Sequence, residues 1–237
     1  MPRAVPLVRK KGGKGGTPGA VRCGEGGEYA AVAGLSLGSR VFEALGEDTM
    51  RPDRETALRI LRKHNKDETH IRHALAVEGT MRHFARRAGA DEDLWGVVGI
   101  LHDIDWEMTS DAPERHCHLA PELLREEGID EDIIHAVQSH GYGICTDVEP
   151  ANDMERTLFT IDELTGLIIT AGLVRPSRSL SDLELKSVKK KWKDKAFARG
   201  VNREIISAGA ERMGLPLDTV IEETILALRP IEKDVGL

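Results

Sequence analysis

His102 and Asp103 stand side by side at the end of an apolar run, Val97-Val98-Gly99-Ile100-Leu101. Imidazole and carboxylate are both good ligands for a divalent metal. Burying them together costs free energy unless a partner compensates, and a cation does so directly. More groups of the same chemistry flank the pair: His73 before it, and His116, His140 and Asp162 after it. Such a mixed donor set suits manganese, iron, cobalt, nickel or zinc better than calcium. One or two such ions would activate water and clamp a phosphoryl oxygen. Asp103, Asp105 and Glu163 are the candidate catalytic carboxylates. Asp105, Glu107 or Glu163 could serve as general base or hold a ligand histidine in place.

Positioning these groups requires helices. Aromatic residues make up only 4% of the chain and β-branched runs are scarce, which disfavours a sandwich or barrel. Ile71, Ala74, Leu75, Met81, Phe84, Ala85 and Ala88 recur at three- and four-residue steps, so the spacing predicts a helix over 67–88, ended by Gly89. A helix from Asp53 precedes it. Asp91 caps a third that runs to Asp103. Further helices are expected from Pro113 to Glu127, from Asp130 to His140 and over 152–171. Then come a short helix near 182–187, a lysine-rich one to about 198, and helices over 202–213 and 217–228. No segment shows credible period-2 alternation. The fold class is all-α, a single bundle over about 50–230 with additional C-terminal helices. The six candidate ligands fall on five of the predicted helices, and a bundle can assemble a metal site from inward-facing side chains.

The order of these residues (His73, then His102-Asp103, then His116, His140 and Asp162) resembles the HD superfamily of metal-dependent phosphohydrolases. Several stretches are similar to a bacterial group of predicted HD hydrolases: His102-Asp103-Ile104-Asp105-Trp106-Glu107, Ser139-His140-Gly141-Tyr142-Gly143-Ile144-Cys145, Thr160-Ile161-Asp162-Glu163-Leu164-Thr165-Gly166-Leu167 and Lys189-Lys190-Lys191-Trp192-Lys193-Asp194-Lys195. The resemblance implies that His73, His102, Asp103 and Asp162 bind one metal and that His116 and His140 support a second. His118 competes with His116 if the register slips by two. Asp105 stands where glycine is commoner in the family, an extra carboxylate near the metals. The implied activity is hydrolysis of a small phosphate ester, a nucleotide foremost. The alternatives are a di-iron HD-fold oxygenase and a non-catalytic ligand-binding module of the same fold.

Residues 175–203 hold ten Lys or Arg against three acids, in a chain of net charge −7. Like charges crowded on one helix repel, so a counter-charge is expected there, and a phosphate would provide it. Lys189, Lys190, Lys193 and Arg175 are the candidate substrate-binding residues. A nucleic-acid groove would need a broader basic face and more interleaved aromatics than Trp192 and Phe197. His64, His70, His83 and His135 fall at polar helix positions and are expected at the surface.

Cys23, Cys117 and Cys145 form no regular framework, which points to a reducing compartment and a cytoplasmic protein. No Cys-x-x-Cys spacing supports a zinc site. No apolar stretch is long enough to span a membrane, and no compact apolar segment follows the N-terminal basic residues. Residues 1–49 are rich in Gly and Lys and read as a disordered tail, or as a non-native extension ahead of Met50.

Overall fold

Side-chain caps set where the helices begin. In the computed structural model, which describes residues 49–237, the Asp53 carboxylate accepts from the Thr56 amide at 2.8 Å and starts α1, Arg54–His64. Asp67 does the same for α2, Glu68–Ala88, and Asp91 for α3, Glu92–Leu101. The α2 helix ends on Gly89, whose φ of 66° is the left-handed conformation that closes a helix without a Cβ penalty. Then come α4, Trp106–Thr109; α5, Ala120–Glu126; α6, Glu131–Ser139; α7, Asp153–Leu173; α8, Leu185–Lys193; α9, Arg203–Arg212; and α10, Leu217–Leu228. Among the described residues there is no strand, only isolated bridges such as Met50 with Ile129. The all-α expectation is met.

The core gathers around α2, α3 and α7. Ile71, Ala74, Val77, Met81 and Ala85 of α2 are fully buried, as the stripe in the sequence requires. The α3 helix is buried along most of its length because it is wrapped by α1, α2 and α6. It approaches α2 at Gly99, where an added Cβ would sit 2.9 Å from the backbone Cα and N of Glu78. Glu78 is buried at this crossing and neutralised by Arg54, at 2.6 and 3.0 Å, and by Arg82, at 2.9 Å. A methyl group at Gly99 meets backbone rather than a flexible side chain, so one helix must move. Gly99→Ala is therefore expected to destabilise the fold by about 1–3 kcal/mol. Urea unfolding measures this, and an unchanged midpoint would contradict so close an approach.

Three expected helices are reshaped. The stretch predicted as one helix over 113–127 is a 3-10 turn at Pro113–Arg115, an irregular segment, and then α5. His116 is extended and Cys117 has φ 65°, so an α-helix cannot pass through them. The two expected helices over 182–198 are one, α8, followed by turns through Gly200. Asp130 precedes α6 without capping it by side chain; it pairs with Arg51 at 3.3 Å instead. The expected N-terminal tail lies outside the described residues. No helix among the described residues is long and apolar enough to cross a membrane.

Candidate metal centre

The buried α3 carries His102 to its C-terminus, and Asp103 follows in the next turn. Both end up inside the bundle, where α2 contributes His73, α7 contributes Asp162, the end of α6 contributes His140, and the irregular segment before α5 contributes His116. The structure thus brings all six expected ligands together. They divide into two clusters that share Asp103. Its Oδ2 lies 3.3 Å from His102 Nε2 and 3.6 Å from His73 Nε2. Its Oδ1 lies 3.1 Å from His116 Nε2 and 3.4 Å from His140 Nε2. Asp162 joins the first cluster, with Oδ1 2.9 Å from His73 Nε2 and 3.4 Å from His102 Nε2.

The tautomers follow from the outer hydrogen bonds. His102 Nδ1 donates to the Gly99 carbonyl at 2.8 Å, and His140 Nδ1 donates to the Val137 carbonyl at 2.5 Å. A carbonyl offers only lone pairs, so each proton is on Nδ1. His116 Nδ1 donates to the Asp105 carboxylate at 2.8 Å. In their neutral forms all three imidazoles therefore aim a bare Nε2 lone pair inward, as metal-bound histidines do. Two such nitrogens, on His116 and His140, stand 3.1 Å apart. Without a proton or a cation between them they would repel.

The electrostatics state the same requirement. Burial opposes charging His102, but Asp103 and Asp162 overcome it and hold the imidazole well above its usual range. Burial likewise opposes charging His116, and Asp103 with Asp105 still pushes it up to about 10. Asp103 and Asp162 are held well below the usual carboxylate range by their histidines, against burial. So many buried carboxylates and imidazoles must carry extra protons or a cation. The residues present fit a divalent metal: His73, His102 and Asp103 can hold one, His102, His140 and Asp162 form an overlapping group, and His116 and His140 lie together with the Cys117 thiol.

Asp105 is fully buried and reaches no open space. Its second oxygen accepts from the amides of Leu119 and Ala120, at 3.2 and 3.1 Å. One carboxylate therefore caps α5 and orients His116. The expectation of Asp105 as a catalytic group becomes one of positioning. Its removal is predicted to act through His116: Asp105→Asn should weaken metal binding at the second cluster by roughly 10- to 100-fold. Manganese titration measures this, and an unchanged affinity would contradict the role.

Glu163 does face open space. It lines a cleft of about 530 Å³ whose walls include His73, Asp103, Trp106, His116 and Ile144. Burial raises its carboxyl above the usual range, against a hydrogen bond from the Asn202 amide. Glu107 instead accepts from the Lys66 and Asp67 amides, both at 2.6 Å, outside the cleft. His118, the register rival, donates to the Cys145 carbonyl at 2.6 Å.

None of the four expected substrate-binding cations lines the cleft. Arg175 pairs with Asp182 of the same stretch at 2.6 Å and Lys189 with Asp218 of α10 at 2.6 Å, so the chain's own carboxylates supply their counter-charge. Lys190 and Lys193 are both exposed on α8, away from the lining. Sequence reasoning also misplaced His70. It is buried against the site, where Nε2 donates to the Asp103 carbonyl at 3.3 Å. Its spacing of three residues from His73 was the available signal.

A buried His-Asp pair with single His and Asp side chains from neighbouring segments makes this a helical domain with a candidate metal centre. Residues 70–167, from α2 to α7, match the family model described as HD domain. All six expected ligands fall within the match. Among curated proteins, the chain is 31% identical over 97 residues to a tRNA (cytidine(56)-2'-O)-methyltransferase of Picrophilus torridus, covering 40% of this chain and 28% of that one. It is 28% identical over 138 residues to Ribonuclease Y of Oleidesulfovibrio alaskensis, covering 57% of this chain and 26% of that one. The chain thus spans about a quarter of the length of these relatives. No solved structure matches.

Proposed function

We propose that this chain is a divalent-metal-dependent phosphohydrolase that acts on a small phosphate ester, a nucleotide above all. The supporting observation is the division of Asp103, which turns one oxygen to each cluster. In this reading His73, His102, Asp103 and Asp162 hold one ion, while His116, His140 and the other Asp103 oxygen hold the second. Bound divalent ions would supply Lewis-acid polarisation of the phosphoryl group and lower the pKa of water.

The chain's own residues do the rest. Gly99 and Val137 fix the His102 and His140 rings through their carbonyls, and Asp105 fixes His116. Glu163 lines the cleft one residue beyond Asp162. One of its oxygens is tied to Asn202 and the other is left to take up or deliver a proton. The cleft has the volume of a small-molecule site. Among the described residues, no Lys or Arg lines it, so the substrate's negative charge falls to the metals. The names of both relatives concern RNA, but a strand of RNA calls for cations along its backbone. The cleft therefore favours a small ester.

Phosphate release from a panel of nucleotides and simple phosphate esters, with added manganese, tests the reading. Turnover by the wild type and none by Asp103→Ala is expected. Silence across the panel in metal-loaded protein would sink the proposal.

A further inference from the structure

Cys117 and Cys145 lie against the second cluster, and no step above uses them. Cys117 is fully buried and Cys145 lines the cleft. Gly141 leaves the space they share: a Cβ there would sit 2.5 Å from Cys145 Sγ and 2.8 Å from Cys117 Sγ. Their two segments also carry the ligands of that cluster. Cys117 directly follows His116, and Cys145 lies in the turn that begins after His140. Cys117 Sγ packs 3.8 and 3.7 Å from the His140 ring nitrogens. Cys117 has φ 65°, a conformation rare for a residue with a side chain, and its backbone is joined to His116 without slack.

We propose that Cys117 and Cys145 are a modification site, a dithiol that closes reversibly to a disulfide by exchange with a low-molecular-weight disulfide, and that closure releases the metal held by His116 and His140. The coupling to metal rests on the two-ion reading above. Cys145 is the sulfur that opens to the cleft, so it attacks first. Its thiolate forms a mixed disulfide with one half of the small molecule and expels the other half as a thiol. Cys117 then attacks the Cys145 sulfur and expels the second thiol. Two protein thiols are oxidised and one small disulfide is reduced to two thiols. A disulfide draws its sulfurs to about 2.05 Å, well inside the contact distance of two unbonded sulfurs. Cys117 must shift, and His116 with it. His73, His102 and Asp162 lie on elements that the bond does not join.

The test uses the full chain with Cys23→Ser, reduced, loaded with manganese and then treated with oxidised glutathione. Intact mass spectrometry should show the loss of two hydrogens and no retained glutathione. Bound manganese should fall from two ions per chain to one, and a dithiol reductant with fresh manganese should restore the second. Adding Cys117→Ser should trap one glutathione on Cys145. Adding Cys145→Ser should leave both the mass and the metal count unmoved by the oxidant. Retention of both thiols, a stable adduct on the parent chain, or a disulfide between chains would overturn the proposal. A disulfide that forms while both ions stay bound would overturn the coupling. Reduced protein that binds no metal at all would instead overturn the two-ion reading, and the mass change would still judge the dithiol.

Discussion

Asp103→Ala is expected to abolish turnover and to strip the protein of both ions. Every other candidate ligand serves mainly one cluster, but the Asp103 carboxylate faces both. Removing it takes one anionic donor from each. It also leaves His102 and His116 buried, with the carboxylate that balanced them gone. The loss of activity should exceed the roughly 10- to 100-fold expected from an outer partner such as Asp105. Asp103→Asn keeps the shape and discards the charge, so it should fail nearly as badly. Metal analysis beside the activity assay separates this from simple unfolding, provided the variant keeps its helical circular dichroism. A variant that retained both ions would contradict the bridging role.

Removing metal is the second large effect, and its size should depend on pH. Without a cation, the His116 imidazole is held up at about 10 against an ordinary value of 6.5. A group whose pKa is raised on folding contributes stability that is fully present below the unfolded value. That contribution is lost as pH climbs through the folded value. Metal-free protein should therefore lose thermal stability progressively between about pH 6.5 and pH 10. Metal binding replaces those protons, so affinity should rise over the same window. At a free metal concentration of about 100 times Kd, one ion adds about 2.7 kcal/mol. For a domain of this size that is a shift in Tm of roughly 5–10 °C. Melting curves with and without chelator, at several pH values, check both signs. A chelator effect that vanished at alkaline pH would run against this account.

Much of the bundle could be read before any coordinates. The stripe in α2 and the apolar run in α3 are set by local periodicity, so their burial and the place of His102-Asp103 followed directly. The six candidate ligands were visible because their side-chain chemistry is uncommon in a core, and the fold brings them together. What escaped was decided by tertiary contact. Nothing local in His116-Cys117-His118-Leu119 says that a helix must break there. The break follows from Asp105, which claims His116 and the first amides of α5 at once. The lysines of α8 signalled a counter-charge, and the sequence could not say whether a ligand or Asp218 supplied it. His70 read as a surface residue because Trp106, against which it stacks with ring centroids 6.3 Å apart, lies on another element.

The most direct measurement of the central claim is metal stoichiometry. Wild-type protein, His73→Ala and His140→Ala would be loaded with manganese, freed of excess and analysed for bound metal per chain. The account predicts two ions in the wild type and one in each variant, with His73→Ala emptying the cluster at Asp162 and His140→Ala the cluster at His116. A wild type with no bound metal, or two variants that each lose everything or nothing, would contradict it.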